Sequence, residues 1–273
     1  MSTLAAFAHF DPDGLVAPHV ERHLRELATV ADRLVVVSTA PLTDRSRATL
    51  AGYGRLIERE NVGYDFCSWR AGLLPELIGN AGSAAGWDRV LISNDSCVGP
   101  LLPYQRILAE MSASGADVWG VALSREFEPH IQSFFVCFEA AVVRSPLLRA
   151  FWNAVTPVAN RWFVVNRYEL GLSRLMRTAG FTLGSYLDLK TGSQPVEGNP
   201  MIMHWGKALD GGLPFVKVEV LRDDPGGYGA ETMLTRCEER FPAEFEGVRE
   251  YIERTRAAIA IARSSSPVHE ESA

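Results

Sequence analysis

Short apolar runs alternate with amphipathic segments along the first 123 residues of the chain. The apolar runs are rich in Val, Ile and Leu, which is typical of strands that are buried on both faces. The amphipathic segments carry apolar residues at helical spacing, as in Val20, Leu24 and Leu27 after Pro18. The predicted strands are Leu4–His9, Leu34–Val37, Arg55–Ile57, Val90–Ile92 and Val118–Leu123, and further helices are predicted over Phe66–Ile78 and Tyr104–Met111.

The pattern is less regular after Ser124. Ser145-Pro146 indicates a helix start, because Ser is a good N-cap and Pro fits the first helical position. A longer helix is predicted over Val165–Ala179, with Gly180 as its C-terminal stop. Two more strands are predicted, at Gln132–Phe138 and Phe215–Leu221.

This order of elements predicts an α/β fold with a Rossmann-type, mostly parallel sheet flanked by helices. We expect one domain over residues 1–225, with one half at 1–123 and the other at 124–225. A charged helical extension is predicted at 226–263. The serine-rich, acidic stretch at 264–273 is predicted to be a disordered tail.

Composition agrees with an ordinary globular protein. The chain has 273 residues, is 47% hydrophobic and carries a formal net charge of -6, so nothing indicates binding to nucleic acid. The four cysteines are scattered and are predicted to be buried thiols. Because the sequence shows neither a long apolar span nor the features of a signal peptide, we expect a cytoplasmic protein.

Common nucleotide and zinc signatures are absent from the sequence. Gly52 and Gly54 lack both a third glycine and a preceding apolar strand, and there is no GxxxxGK[ST] loop. There is also no HExxH motif or Cys/His cluster.

Polar residues stand instead after the predicted strands, at His9–Asp13, Asn61–Asp65 and Asn94–Ser96. In a parallel sheet the carboxyl ends of the strands meet at one edge, and ligands bind there. The sequence therefore predicts one site at this edge.

The triplet Asn94-Asp95-Ser96 ends an apolar strand. The Asp95 carboxylate is well placed to hold Mg²⁺ or Mn²⁺ together with a diphosphate. The alternative is an Asx-type turn that only ends the strand.

The loop Asn61-Val62-Gly63-Tyr64-Asp65-Phe66 leads into a predicted helix. Backbone N–H groups at a helix start bind phosphate, and Asp65 is suited to accept a hydrogen bond from a ribose or base. The alternative is a turn in which Asp65 caps the helix.

Three further side chains are candidates for a function, and two of them also have a structural interpretation. His130 is suited to orient a hydroxyl, although a lone His is more often structural. Trp205, next to His204, either stacks on a sugar ring or fills the core. Arg222 is suited to pair with phosphate.

These motifs, in this order, resemble the rhamnan synthesis protein F family. The resemblance covers about residues 4–225. The matching stretches are Ala8-His9-Phe10-Asp11, Asn61–Phe66, Asn94-Asp95-Ser96, Gly99-Pro100-Leu101, Asp117–Gly120, His130–Phe135, Tyr168–Leu172, Asn199-Pro200, Pro214–Lys217 and Leu221-Arg222.

The resemblance implies a GT-A-like glycosyltransferase in bacterial cell-surface polysaccharide assembly. It implies dTDP-L-rhamnose as donor and a lipid-linked glycan as acceptor, which agrees with peripheral contact at the inner face of the plasma membrane. GT-A enzymes usually bind their cation through Asp-x-Asp, whereas Asn94-Asp95-Ser96 supplies one carboxylate. Tyr168-Glu169-Leu170, with the Arg174-Leu175 that follows, also resembles the family 2 glycosyltransferase helix whose early acidic residue is the base.

The regular alternation of strands and helices ends near Ser124, so residues 1–123 are the predicted nucleotide half and 124–225 the predicted acceptor half. Glu169 is the predicted general base, and His130 is a second catalytic candidate. The remaining predicted site residues are His9, Asp11, Asn61, Gly63, Asp65, Asn94 and Arg222 for the donor, Gln132 and Trp205 for the acceptor, and Asp95 and His204 for the cation.

The main hypothesis is an inverting glycosyltransferase. One alternative is a non-catalytic module that binds sugar nucleotide or glycan within a polysaccharide-assembly complex. Another is a retaining transferase of the same fold. The sequence leaves the donor sugar, the acceptor and the oligomeric state open.

Overall fold

The computed structural model describes residues 1–79, 86–158, 160–191 and 193–265. Its strands alternate with helices over the first half, as the hydrophobic pattern predicts. In chain order the strands are β1 (Thr3–His9), β2 (Arg33–Ser38), β3 (Arg55–Glu58), β4 (Arg89–Asn94), β5 (Cys97–Val98), β6 (Val118–Ser124), β7 (His130–Ile131), β8 (Phe135–Phe138), β9 (Leu183–Leu187), β10 (Lys190–Thr191), β11 (Gln194–Pro195) and β12 (Val216–Lys217).

The helices fill the connections between strands. Within the described residues they are α1 (Pro18–Ala28), α2 (Asp44–Tyr53), α3 (Tyr64–Gly79), α4 (Tyr104–Ser112), α5 (Ala140–Arg144), α6 (Pro146–Ala154), α7 (Arg161–Val164), α8 (Gly171–Thr178), α9 (Pro200–Met203), α10 (Trp205–Asp210), α11 (Val218–Asp223), α12 (Ala230–Arg240) and α13 (Val248–Ser265).

Among the described residues the central sheet has eight strands, in the order β3-β2-β1-β4-β8-β6-β7, with β9 paired to β6. The pairs β3-β2, β2-β1, β1-β4 and β6-β9 are parallel, and β8 is antiparallel to both β4 and β6. The α/β prediction with a mostly parallel sheet is therefore confirmed.

Both faces of the sheet are covered by helices, which explains why its inner strands are continuously apolar. On β1, Ala5 and Phe7 join a cluster with residues of α1 and α4. Leu4, Ala6 and Ala8 point the other way, into a cluster with residues of α3 and α6. Alternate residues of one strand thus serve two apolar layers.

Three sequence predictions are corrected in the second half. Phe215–Leu221 is not one strand, because β12 covers only Val216–Lys217 and α11 begins at Val218. Gln132–Phe138 is interrupted, and only its end forms β8. The helix predicted over Val165–Ala179 starts earlier, in α7, and residues 165–170 form a π-helical turn before α8. Such turns are frequent at functional sites.

The stretch after residue 225, where a helical extension is predicted, contains the two last described helices, α12 and α13. Met233 and Leu234 of α12 and Val248 and Ile252 of α13 are buried in a third apolar cluster, which includes Leu221 of α11. The last helix reaches Ser265, and the rest of the predicted tail lies outside the described residues. The residue limits of the domain and its halves stay a prediction.

Two sequence expectations concern cysteines and membranes. All four cysteines are buried free thiols, as predicted. No helix in the described part of the chain combines the length and apolarity that crossing a membrane requires.

Three histidines are enclosed in the core near the carboxyl end of β1. His9, His19 and His23 are 1–2% exposed. Burial lowers the pKa of His9 and His19 to about 4 and that of His23 to about 3. Neither ring nitrogen of His19 has a hydrogen-bond partner in the described residues, and its ring packs 4.5 Å from that of Tyr251.

We expect these histidines to make the fold sensitive to acid. Between pH 6.5 and about 4 the unfolded chain binds protons that the buried rings do not, so the free energy of unfolding should fall as pH falls through that range. Above pH 6.5 this contribution is fully present. Urea unfolding at a series of pH values measures the slope.

Two variants identify the source of that slope. His19→Phe should make it shallower, whereas His204→Gln, outside the buried group, should leave it unchanged. Equal slopes in the wild type and both variants would contradict the assignment.

Candidate functional site

A cavity of about 670 Å³ opens at the carboxyl ends of β1 and β4. Its walls come from segments that are distant in sequence. They are the loop after β1, the start of α3, the loop after β4, residues 132–134 before β8, the helical run at 161–169, β12 with α11, and α13.

The floor of the cavity is built by three polar side chains. The amide of Asn94 donates to the Asp65 carboxylate at 2.7 Å, which ties the end of β4 to the first turn of α3. Asn94 Oδ1 accepts from both the N–H and the hydroxyl of Ser96, at 3.1 and 2.6 Å. The Asx-type turn is therefore present, and it presents Asp95 to the cavity.

Two carboxylates meet at this floor. Asp95 Oδ2 accepts the backbone N–H of Phe10 at 2.5 Å. Burial, followed by repulsion from Asp65, raises the pKa of Asp95 to about 8. Burial also raises the pKa of Asp65, and the hydrogen bond from Asn94 opposes it. In the described residues neither carboxylate has an ion-pair partner. Ionisation of both carboxyl groups is therefore unfavourable unless a cation lies beside them.

Glu169 lies in the same cavity, on the π-helical turn. Its Oε2 accepts the backbone N–H of Ser133 at 2.7 Å and also the Ser133 hydroxyl, and its Oε1 lies 3.5 Å from His130 Nε2. Burial favours a higher pKa for Glu169, but the hydrogen bonds from His130 and Ser133 outweigh it and hold that pKa below its usual value.

His130, one of the two partners of Glu169, is itself held in place. The ring of His130 is buried, and its Nδ1 lies 2.8 Å from the carbonyl oxygen of Glu128. Burial favours a lower pKa for His130, but the bonds to Glu169 and Glu128 outweigh it and raise the pKa. Glu169 lies well inside a helical run that begins at Arg161, so its carboxylate is not at a helix N-terminus.

The opposite wall of the cavity is basic. Arg161 of α7 pairs with Glu219 of α11 through two contacts of 3.1 and 3.2 Å, and Arg222 pairs with Asp223 at 2.7 Å. Lys217 completes this wall. Sequence reasoning found Arg222 but missed Arg161 and Lys217, because neither follows a predicted strand end.

The last helix closes one side of the cavity with Tyr251, Thr255 and Ala258. Arg254 anchors this helix by pairing with Asp11 at 2.5 Å and with Asp13. The C-terminal extension is thus part of the site, which the sequence did not predict.

The structure brings together many of the predicted site residues. The predicted residues that line the cavity are Asp65, Asn94, Asp95, Gln132, Glu169 and Arg222. His130 lies directly behind Glu169. Those outside the lining are His9, Asp11, Asn61, Gly63, His204 and Trp205.

Four of the six residues outside the cavity lining lie at the end of β1 or in the loops that lead to the site. His9 is buried with its Nδ1 3.0 Å from Ser38 Oγ, and Asp11 holds Arg254. Asn61 is exposed before α3. Gly63 has a φ of 82°, and a Cβ there would lie 2.3 Å from the Cys67 sulfur, so the turn requires glycine.

The other two lie in the second half of the fold. Trp205 Nε1 donates to the Tyr228 carbonyl at 3.3 Å, and the ring packs against the third apolar cluster. His204 is the residue at which α9 ends and α10 begins. The predicted pairing of His204 with Asp95 at a cation is therefore corrected, because His204 is not at the cavity.

The acidic floor fits a cation that is shared with a ligand. No group of three or more His, Cys, Asp or Glu residues suited to a metal occurs in the described part of the chain. Mg²⁺ commonly binds through one or two carboxylates plus phosphate oxygens, and Asp95 and Asp65 match that requirement.

Comparison with known proteins gives the family. A family model described as Rhamnan synthesis protein F matches residues 34–256. The chain belongs to this family.

The chain matches part of two curated proteins. Virulence protein VirA of Vibrio anguillarum is 27% identical over 200 residues, covering 63% of this chain and 64% of that protein. Uncharacterized protein y4gN of Sinorhizobium fredii is 25% identical over 187 residues, covering 67% of this chain and 48% of that protein. The chain thus spans about two thirds and about half of these relatives.

Solved structures with a similar fold share little sequence. A CMP:2-keto-3-deoxy-manno-octonic acid synthetase complexed with CTP matches with a TM-score of 0.39 and 10% identity, over 77% of this chain and 98% of that one. A glucosyl-3-phosphoglycerate synthase from Mycobacterium tuberculosis matches with a TM-score of 0.33 and 12% identity, over 50% of this chain and 57% of that one. Neither likeness adds anything about activity.

We expect Asp95→Asn to stabilise the ligand-free protein. It removes a buried charge and its repulsion from Asp65 while keeping an oxygen for the Phe10 N–H, so the free energy of unfolding at pH 8 should rise by about 1–3 kcal/mol. The folded Asp95 keeps its proton up to about pH 8 while the unfolded one ionises near 3.8, so the wild type loses stability as pH rises through that range.

Urea unfolding in EDTA measures this difference. Asp44→Asn, at a fully exposed position, is the control and should change stability by no more than about 0.5 kcal/mol. A destabilised Asp95→Asn would contradict the electrostatic account.

Proposed function

We propose that the chain is a glycosyltransferase that moves a sugar from a sugar nucleotide onto a growing cell-surface polysaccharide. The observation that carries this is the position of Glu169, which hydrogen bonds keep ionised, in the same cavity as the paired carboxylates Asp65 and Asp95. A proton acceptor and a site for a charged leaving group are what sugar transfer requires. Membership of the rhamnan synthesis family supports the polymer class.

The donor we propose is dTDP-L-rhamnose. Its diphosphate would lie over the floor formed by Asn94, Asp95 and Asp65, and its nucleoside would extend along the start of α3. The family's name supports rhamnose as the sugar.

A divalent cation, Mg²⁺ or Mn²⁺, would be held by Asp95, with Asp65 beside it. When bound, it supplies positive charge to the diphosphate oxygens of the donor. Proton transfer and sugar binding are assigned to side chains of the protein.

Glu169 is proposed as the base of an inverting reaction. As the acceptor hydroxyl attacks the sugar carbon, its proton passes to the Glu169 carboxylate, and the nucleoside diphosphate leaves with the electron pair of the broken bond. His130 and Ser133 position the carboxylate, since both bond to it. The lowered pKa of Glu169 keeps it ionised at neutral pH and ready to accept the proton.

Gln132 is proposed to bind a sugar hydroxyl. The side chain lines the cavity and is 3% exposed, yet its Oε1 has no donor among the described residues. An orphan acceptor of this kind costs stability unless a ligand satisfies it. A hydroxyl of the acceptor glycan is a donor of the required type.

Replacing Glu169 by Gln tests the base. The variant keeps the shape but cannot take up the proton, so we expect transfer to fall by about 10²–10⁴-fold with donor affinity unchanged. Transfer is measured with dTDP-L-rhamnose and a membrane-derived acceptor, and donor affinity by calorimetry. Glu110→Gln, on α4 away from the cavity, is the matched control.

The results separate the competing functions. Near-normal transfer by Glu169→Gln would move the base elsewhere. Donor binding without turnover in the wild type would favour a non-catalytic binding module. A product with the donor's anomeric configuration would indicate a retaining transferase.

Cation dependence is tested by thermal unfolding with a panel of sugar nucleotides. With Mn²⁺ and donor at about 100 times the Kd, the wild-type Tm should rise by about 5–10 °C, because the ligand binds only the folded state. EDTA or Asp95→Asn should abolish most of that rise, and Asp44→Asn should retain it. Transfer that survives both EDTA and Asp95→Asn would exclude a cation held by Asp95.

A further inference from the structure

Lys217 differs from the other basic residues of the cavity. Arg161 is paired with Glu219, and Arg222 with Asp223. The Lys217 side chain, by contrast, has no hydrogen-bond or ion-pair partner in the described residues. The two arginines are held by direct ion pairs, whereas the Lys217 charge acts on nearby Glu219 without a direct contact to it.

The backbone fixes Lys217 next to the acidic floor. β12 is antiparallel to β5, and Lys217 is opposite Cys97. The N–H of Val218 donates to the carbonyl of Ser96 at 2.9 Å, and Val216 pairs with Val98, so Lys217 is held beside the residues that follow Asp95. The lysine is half-buried, which favours an anionic ligand over free water at its ammonium group.

We propose that Lys217 binds the terminal phosphate of the donor diphosphate and stabilises it as it leaves. This rests on the proposed function, because it assumes a nucleoside diphosphate leaving group. As the bond from the sugar carbon to the phosphate oxygen breaks, the electron pair stays on that oxygen and its negative charge grows. A fixed ammonium group stabilises that charge without giving up a proton.

The other two cations of this wall are neutralised by ion pairs. Glu219 and Asp223 hold the two arginines, so the wall presents a single uncommitted cation rather than three. Lysine binds phosphate as a point charge, which suits a group that moves during the reaction.

Calorimetry with three probes tests the proposal on the full chain. The probes are thymidine, dTDP and inorganic pyrophosphate, all with the same excess of Mg²⁺, so that the divalent cation contributes equally to every titration. Lys217→Gln should weaken binding of dTDP and pyrophosphate by about 10- to 100-fold and leave thymidine binding unchanged. Lys217→Arg should restore most of the affinity because it keeps the charge. Lys207→Gln, at an exposed lysine outside the cavity, is the matched control.

These titrations distinguish a failure of the Lys217 assignment from a failure of the proposed glycosyltransferase function. If Lys217→Gln binds dTDP within about twofold of wild type, the Lys217 assignment is overturned and the glycosyltransferase proposal stands. If pyrophosphate binding depends on Lys217 but no sugar nucleotide binds, the phosphate site stands and the proposed function fails. If the wild type binds none of the probes, the Lys217 assignment is overturned.

Discussion

The site depends on a change of strand direction at the centre of the sheet. β1 and β4 run parallel, so their carboxyl ends meet at one edge, whereas β8 runs antiparallel to β4. The start of β8 therefore arrives at the same edge, and Asn94 N–H donates to the carbonyl of Phe134 at 3.2 Å. Without that reversal Gln132 and Ser133 would lie at the far edge, and Glu169 would lose the N–H and hydroxyl that hold it.

The floor and one wall of the cavity differ in charge. Asp65 and Asp95 lie on the floor, whereas the wall formed by β12, α11 and α7 carries Arg161, Lys217 and Arg222 together with the carboxylates of Glu219 and Asp223. The pKa values of Asp65 and Asp95 lie above their usual range, while that of Glu169 lies below it. Burial acts to raise the pKa of all three carboxyl groups. In Glu169 the bonds from His130 and Ser133 outweigh burial, whereas in Asp65 and Asp95 the opposing hydrogen bonds do not.

The first half of the fold was predictable because its signals are local. β1, β2 and β4 are apolar on both faces, and the polar residues at the end of β4 follow from where that run stops. The second half was not, because its elements are short and depend on tertiary contacts. Val216–Lys217 is a strand only through pairing with β5, and the turn at 165–170 leaves no distinct sequence signal.

The same distinction applies to the site. Asp65, Asn94 and Asp95 were accessible to sequence reasoning, since they follow strands or begin a helix. Glu169 and Gln132 came from the family resemblance. Arg161 stood in no motif, and Lys217 stood in a matching stretch without a role, because only the folding of distant segments around one cavity brings them to the site. His9 and Asp11 are the opposite case. Their position at the end of β1 predicted ligand binding, but His9 is buried and Asp11 pairs with Arg254.

The anchoring of α13 by Arg254 has a consequence for biosynthesis. The ion pairs to Asp11 and Asp13 join the loop after the first strand to the last helix, a separation of more than 240 residues. During translation the early strands and α3 are available long before that helix emerges. The cavity therefore remains open on one side in the nascent chain, and that wall is added only when α13 has left the ribosome.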